Sequence, residues 1–282
     1  MYDFKGKVAL VTGAARMRGI GHSTAVRFAM EGANVAVNGR ARLQEEFPEE
    51  EKAEGWKGLD SVIEEIEKHG VRALGITADI SERKQVQDMI DKVLAEFGHI
   101  DFLVANAGIN IRSPFLEVKE EDWHQVLAVN LSGVFYCCQA VARHMVERGG
   151  GGAIVNVSSR AGKMAIPNRA AYCSSKFGVN GLTQVMAIEL GQHNIRVNAV
   201  CPGRTITNIV WADKVWKVAR EKGIDMMEAS KIVYDDWVPL TPLGRAAFPE
   251  EIANAIVFLC SEEASFITGQ CINVNGGRLT AH

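Results

Sequence analysis

Val8-Ala9-Leu10-Val11-Thr12-Gly13-Ala14-Ala15-Arg16-Met17-Arg18-Gly19-Ile20-Gly21 begins as an apolar run and turns through three glycines. It then enters a stretch in which Ala25, Phe28 and Ala29 recur at helical spacing. Four apolar residues stopped by a turn read as a buried strand, and the segment after Gly21 reads as a helix. Glycines let backbone amides approach a pyrophosphate, and the N-terminus of the helix adds partial positive charge. A strand, a glycine loop and a helix in that order point to a dinucleotide-binding unit.

The rest of the chain repeats the alternation. Short β-branched runs fall at 8–12, 34–38, 71–77, 102–105, 153–157, 196–200 and 271–274, with amphipathic stretches at 21–31, 59–69, 81–97, 120–148, 170–190 and 249–259. Seven such runs predict an α/β Rossmann fold, a doubly wound seven-stranded parallel sheet with helices on both faces. Gly32, Gly70 and Gly98 each follow a helical stretch, where a left-handed terminating residue is expected. Without a Pro/Ser/Gly-rich linker or a repeat, residues 1–282 read as a single dinucleotide-binding and catalytic domain.

Two segments exceed what a minimal crossover needs. Residues 41–58 carry six glutamates and read as a solvated surface insertion. Residues 208–241, with Trp211, Trp216 and Trp237, read as two short amphipathic helices around Gly223. They leave the C-terminal end of a strand, where open α/β sheets bind ligands, and so form a candidate substrate lid.

The 282 residues carry a formal net charge of −3 and show no basic patch interleaved with aromatics, which argues against nucleic acid or an anionic membrane as partner. No apolar run reads as a membrane span, and the N-terminus enters a strand without a secretory h-region. Six cysteines without CxxC pairs read as reduced thiols of a cytoplasmic protein, and the seven scattered histidines give no zinc spacing, so no catalytic metal is expected.

Tyr172 and Lys176 lie one helical turn apart, with Ser159 thirteen residues upstream. An ammonium about 5 Å from a phenol, at an effective dielectric of ~20, favours the phenolate by about 3 kcal/mol, roughly two pK units. Ser158-Ser159 lacks the G-x-S-x-G elbow of a hydrolase nucleophile, and by itself is only a turn signal.

At this point the chain resembles the short-chain dehydrogenase/reductase family over nearly its whole length. The resemblance rests on Thr12-Gly13 with Gly19-Ile20-Gly21, on Asn106-Ala107-Gly108, on Tyr172 with Lys176, and on Asp79, Asn130, Ser158-Ser159, Pro202-Gly203 and Thr207 in this order. One departure stands out. Five residues rather than three separate Gly13 from Gly19, so the loop should bulge by two residues and displace Arg16 to Arg18.

The resemblance implies hydride transfer between a nicotinamide cofactor and a small carbonyl or secondary alcohol. It implies that Tyr172 exchanges the proton, that Lys176 lowers its pKa and holds the nicotinamide ribose, that Ser159 polarises the substrate oxygen, and that Asn130 anchors a proton-relaying water. Gly13, Arg16, Arg18, Gly19, Ile20 and Gly21 would line the pyrophosphate; Asp79 and Ile80 would meet the adenine; Asn106, Ala107 and Gly108 would support the sheet beside the cofactor; Pro202, Gly203 and Thr207 would face the carboxamide. At the end of the second strand stands Gly39 rather than an acid, followed by Arg40 and Arg42. That combination removes repulsion towards a 2'-phosphate and favours NADP(H) over NAD(H).

Arg112 and Arg204 are candidate anchors for an anionic substrate. A 3-oxoacyl thioester reductase and a sugar or polyol dehydrogenase are alternatives within the family; a nucleotide-sensing module and an isomerase are alternatives on the same fold. The family likeness also implies a dimer or tetramer built on the long helices 120–148 and 170–190.

Overall fold

Strand β1 (Val8–Val11) sends Val8 and Leu10 into one core and Ala9 and Val11 into another, so the period of two in the sequence becomes two buried faces of one sheet. The computed structural model describes residues 2–208, 212–235 and 238–280. After β1 the chain runs through α1 (Ile20–Met30), β2 (Asn34–Gly39), α2 (Glu49–Ala53), α3 (Leu59–Glu67), β3 (Ala73–Thr77), α4 (Arg83–Phe97) and β4 (Phe102–Ala105). It continues through α5 (Glu120–Leu127), α6 (Val134–Arg148), β5 (Gly152–Val157), α7 (Ala170–Leu190), β6 (Ile195–Pro202), α8 (Ala212–Lys222), α9 (Met226–Val233), α10 (Pro249–Cys260) and β7 (Cys271–Val274).

The strands pair in the order β3-β2-β1-β4-β5-β6-β7, every pair parallel. This is the single-domain, seven-stranded Rossmann-like fold that the alternation predicts. The order reverses between β1 and β4, and ligands of open α/β sheets settle outside the carboxyl ends at such a switch point. One face of the sheet is closed by Phe28, Ile66, Ile252 and Ile256, the other by Ile90, Val141, Met145 and Val179. Gly32, Gly70 and Gly98 adopt φ of 90°, 75° and 81°, the left-handed stops expected after their helices.

Two readings of the sequence change here. The run 120–148 is long and apolar enough, by length and composition, to cross a membrane, contrary to the expectation that the chain has no such stretch. Its apolar residues have another use, because Val134, Cys137, Cys138, Val141 and Met145 pack on the sheet. Nor is this run a uniform helix: a π-helical turn, Ala128–Gly133, separates α5 from α6.

The insertion 41–58 is not merely a solvated excursion either. Glu45, Glu46, Glu49 and Glu54 are exposed, but Glu50, Glu51 and Trp56 are buried. The Trp56 indole N–H donates to the Ala15 carbonyl at 3.0 Å, fixing the insertion to the glycine loop. Charged glutamates can be buried here because arginines of that loop meet them.

The segment 208–241 forms α8 and α9 around Gly223, as its spacing predicts, with a small core of its own in which Ile206, Val215, Ala229 and Tyr234 meet. Trp211 and Trp237 lie outside the described residues.

Candidate active site

The carboxyl ends of β1 and β4 are laced together at the switch point. Asn106 donates its side-chain amide to the carbonyls of Thr12 at 2.8 Å and Gly13 at 3.0 Å, while the Thr12 hydroxyl accepts from the backbone N–H of Asn106 and Ala107. A Cβ on Gly13 would stand 2.6 Å from Ala107 Cα, and one on Gly21 would stand 2.5 Å from Asn106 Nδ2. Both positions therefore require glycine. Helix α1 begins after Gly19 without a side-chain cap and without an acid in its first turn, so Ile20 and Gly21 start a helix whose first amides remain available to an anion. These donors fit a dinucleotide pyrophosphate.

The two extra residues of the loop are held by the insertion. Glu51 accepts from the Met17 N–H at 3.0 Å and pairs with Arg42 at 3.4 Å and Arg16 at 3.7 Å, and Glu50 pairs with Arg18. From the other side, Asn208 exchanges two hydrogen bonds with the Arg18 backbone, at 2.8 and 3.0 Å, and Lys217 of α8 pairs with Glu49 at 2.9 Å. Glycine loop, insertion and the segment that follows β6 thus meet in one place. Arg16, Arg18 and Arg42 are engaged with Glu50 and Glu51, whereas Arg40 is exposed at the end of β2. A Cβ at Gly39 would stand 2.6 Å from the Ala15 methyl, so an acid at that strand end would collide with the loop.

At the end of β3, Asp79 accepts from the backbone N–H and the hydroxyl of Ser81 at 2.9 and 2.6 Å, and Ile80 is buried against Gly133. Pro202 ends β6, and the Gly203 N–H donates to the Val274 carbonyl at 2.9 Å; Thr207 lies buried a few residues on.

Ser159, Tyr172, Lys176 and Asn130 converge beside Gly108. Ser159 follows β5 in extended conformation, accepts from the Ala161 N–H at 3.0 Å, and its hydroxyl acts to lower the pKa of the Tyr172 phenol. Lys176, one turn along α7, is buried and donates to the Val157 carbonyl at 2.8 Å. Asn130 sits in the π-helical turn, fully buried; it accepts from the Ile109 N–H at 2.8 Å and donates to the Ile109 carbonyl at 2.9 Å and to Ser175 at 3.2 Å. A Cβ on Gly108 would come within 3.2 Å of Asn130 Oδ1 and 3.6 Å of Lys176 Nζ, which ties the end of β4 to both. Single π turns inside α-helices recur at functional sites because they re-aim a side chain.

Burial raises the Tyr172 pKa; the Ser159 hydroxyl, Arg169 and Arg160 act against that rise. The sequence reading gave this task to Lys176. The Lys176 nitrogen stands 5.8 Å from the centre of the Tyr172 ring, is tethered to Val157, and has its own pKa brought down by burial to about 8. The Arg169 guanidinium carbon lies 5.9 Å from the same ring.

A family model described as enoyl-(acyl carrier protein) reductase matches residues 13–278. A 3-oxoacyl-[acyl-carrier-protein] reductase of Thermotoga maritima is 38% identical over 97% of this chain and 98% of its own length. A D-threitol dehydrogenase of Mycolicibacterium smegmatis is 39% identical over 98% of this chain and 95% of its own. A short-chain dehydrogenase/reductase from Mycobacterium marinum, 34% identical, superposes with a TM-score of 0.80 and covers 99% of this chain and 97% of that one.

The chain belongs to the short-chain dehydrogenase/reductase family. It is therefore one of the oxidoreductases that bind NAD(P)(H) and act on small molecules.

Three features of this family member escape its motifs. The burial of Glu50 and Glu51 depends on a loop contact across more than thirty positions, and nothing in the glutamate run marks those two as different from their neighbours. The π turn leaves the apolar spacing of 120–148 nearly intact. Arg160 directly follows Ser159 and Arg169 lies three residues before Tyr172, and that proximity was the available signal.

Proposed function

We propose that the protein is an NADP(H)-dependent oxidoreductase that interconverts a carbonyl compound and a secondary alcohol, with Tyr172 as general acid in reduction and general base in oxidation. The observation that supports this reading is the gathering of buried Lys176 and buried Asn130 beside Gly108 at the end of β4, with Tyr172 one turn from Lys176 and acted on by the Ser159 hydroxyl. When bound, the nicotinamide cofactor supplies or accepts the hydride.

The protein's part is to position and polarise. Ser159 holds the substrate oxygen where charge develops, and Tyr172 gives it a proton or takes one. A phenol whose pKa is raised by burial is protonated near neutrality, the form that reduction needs. Lys176 holds the cofactor ribose, and Asn130 keeps a proton path open beside it. Isomerase or nucleotide-sensing roles would leave the Tyr172 proton without a hydride partner.

The preference for NADP(H) rests on Gly39 and Arg40. An acid at position 39 collides with Ala15, and Arg40 is the exposed cation at that strand end. Arg42, which the sequence reading counted with it, is taken up by Glu51. The names of the relatives make 3-oxoacyl thioesters and polyols the first neutral-headed substrates to try. We read 208–241 as the lid over the substrate, supported by its docking on Arg18. Six free thiols suit a reducing cytoplasm. The exposed Phe177, Val185 and Ile188 of α7, with Phe135 of α6, suit a homodimer or homotetramer.

A screen of NADPH and NADH against ketones, sugars and acyl thioesters, with Tyr172→Phe and Arg40→Gln alongside, tests the reading. Turnover should fall at least ~100-fold in Tyr172→Phe, and Arg40→Gln should weaken NADPH about 10-fold while sparing NADH. Undiminished turnover in the first variant, or wild-type preference for NADH, would overturn the corresponding part.

A further inference from the structure

Met17 stands in the lengthened part of the glycine loop, and both of its backbone polar groups meet ionisable side chains. Its N–H donates to Glu51 at 3.0 Å, and its carbonyl oxygen lies 2.7 Å from Nδ1 of His22. His22 is the third residue of α1 and is buried, its ring centre 5.0 Å from that of Trp56, whose indole N–H donates to Ala15 of the same loop. The other ring nitrogen, Nε2, lies 2.8 Å from a carboxylate oxygen of Glu65 on α3.

A carbonyl oxygen and an ionised carboxylate accept hydrogen bonds and donate none. Glu65 is ionised near neutrality, because its hydrogen bond with His22 holds its carboxyl below the ordinary range. A neutral imidazole has one N–H and can serve only one of the two acceptors; both contacts together require the imidazolium, with a proton on each nitrogen. When the imidazolium gives a proton to solvent, the carboxylate, as the stronger acceptor, keeps the one that remains. Nδ1 then turns a lone pair on the Met17 carbonyl, and the loop loses its hold on that side. The other charges around this pair are Lys68 and His69 beside Glu65, Arg16 and Arg42 on Glu51, Glu50 with Arg18, and Glu250 of α10, which accepts from Ser23 next to His22.

We propose that His22 is a positioning residue for the dinucleotide: as the imidazolium it clamps the lengthened phosphate loop, and affinity for the cofactor falls when it loses its second proton. The proposal rests on the reading of this loop as the pyrophosphate seat. Backbone amides hold a pyrophosphate only where they converge on it. Glu51 and His22 fix the backbone of Met17 at its N–H and at its carbonyl, so that Gly19, Ile20 and Gly21, a few residues on, are presented in one arrangement. The ordering of the loop is then complete before the dinucleotide arrives and does not weaken its binding. Without the clamp the loop samples other arrangements, and apparent affinity falls with the fraction that remains competent.

The test has a spectroscopic and a binding readout. Nitrogen NMR of the imidazole rings without nucleotide, with His22→Leu identifying the resonances among the seven histidines, should show both His22 nitrogens protonated at about pH 6 and only one at about pH 9. Calorimetric titration with NADPH and with NADH over the same range supplies the second. His22→Leu should bind both about 10-fold more weakly than wild type at the acid end, and the two proteins should converge at the alkaline end. His22→Asn, whose amide nitrogen can replace Nδ1 as donor, should restore binding without the dependence on pH. Glu65→Gln leaves His22 in place but removes the charge that favours the imidazolium, so its loss of affinity should begin at lower pH than in wild type. A His22 ring with a single proton throughout, or a ratio of affinities between His22→Leu and wild type that is constant with pH, would overturn the clamp. Failure of wild type to bind either dinucleotide at any pH, beside an imidazolium that titrates as described, would instead sink the reading of the loop as a pyrophosphate seat, and the positioning role with it.

Discussion

Lys176 holds its ammonium nitrogen 2.8 Å from the Val157 carbonyl oxygen, inside the protein. An exposed Tyr/Lys pair on a helix would have a free, strongly basic lysine; this one is desolvated, and its pKa is brought from 10.5 to about 8.

Between those two values the unfolded chain carries a proton on Lys176 that the folded chain has released. Stability therefore rises with pH from about 8 to 10.5, and below 8 the protein bears the full cost of a buried charge. Urea midpoints of wild type and Lys176→Met, measured from pH 7 to 10.5 without nucleotide, should diverge in favour of wild type as pH climbs. A constant difference across that range would contradict the burial argument. In the same buffers, ultraviolet titration against Tyr172→Phe should show the Tyr172 phenol ionising at higher pH in Arg169→Gln than in wild type, because Arg169 opposes the rise caused by burial.

Glu51 is buried against Arg42, Arg16 and the Met17 N–H. Removing one partner of a buried ion pair leaves the others uncompensated, at a cost of about 3–5 kcal/mol. We expect Glu51→Ala to lose stability of that order and to weaken binding of both dinucleotides, since the glycine loop loses its support. Chemical denaturation and fluorescence titration with NADPH and NADH report the two effects separately.

Gly39→Asp should not by itself give an NADH enzyme. Its Cβ would meet the Ala15 methyl at 2.6 Å, and overpacking of that kind costs about 1–3 kcal/mol. Pairing it with Ala15→Gly removes the obstruction. The double variant should recover stability and shift preference towards NADH, read as the ratio of kcat/KM values; a single variant that switches cleanly would show that the loop yields without strain.

Asn130 satisfies both backbone groups of Ile109. Asn130→Leu keeps much of the volume and leaves the half-buried N–H and C=O of Ile109 unpaired, for a loss of about 1–3 kcal/mol. Turnover should fall with it while dinucleotide binding changes less, because the loop on β1 is held independently by Asn106.

The alternation of apolar runs and helical stretches was enough to place the strands β1 to β7 within a few residues, because side-chain period follows backbone geometry directly. Glycines at 13 and 21, and those that end helices, were legible for the same reason: they occupy places where a Cβ collides or φ turns positive. The order of Asn106, Asn130, Ser159, Tyr172 and Lys176 named the family without a coordinate.

Long-range charge pairing was not legible. Six glutamates in a row of polar residues look alike, and only the folded chain brings Glu50 and Glu51 under the glycine loop while the rest stay in water. Arg160 is lowered by burial and by Arg204, Arg278 and Arg169, groups drawn from distant parts of the sequence that act on it only in the folded chain. Local period and backbone permission are properties of neighbouring residues, so the sequence by itself determined the fold and the family. Desolvation and electrostatics depend on what lies across space. The tertiary structure alone therefore decided that Lys176 is a weakened base, that Arg169 acts on Tyr172, and that the insertion braces the loop.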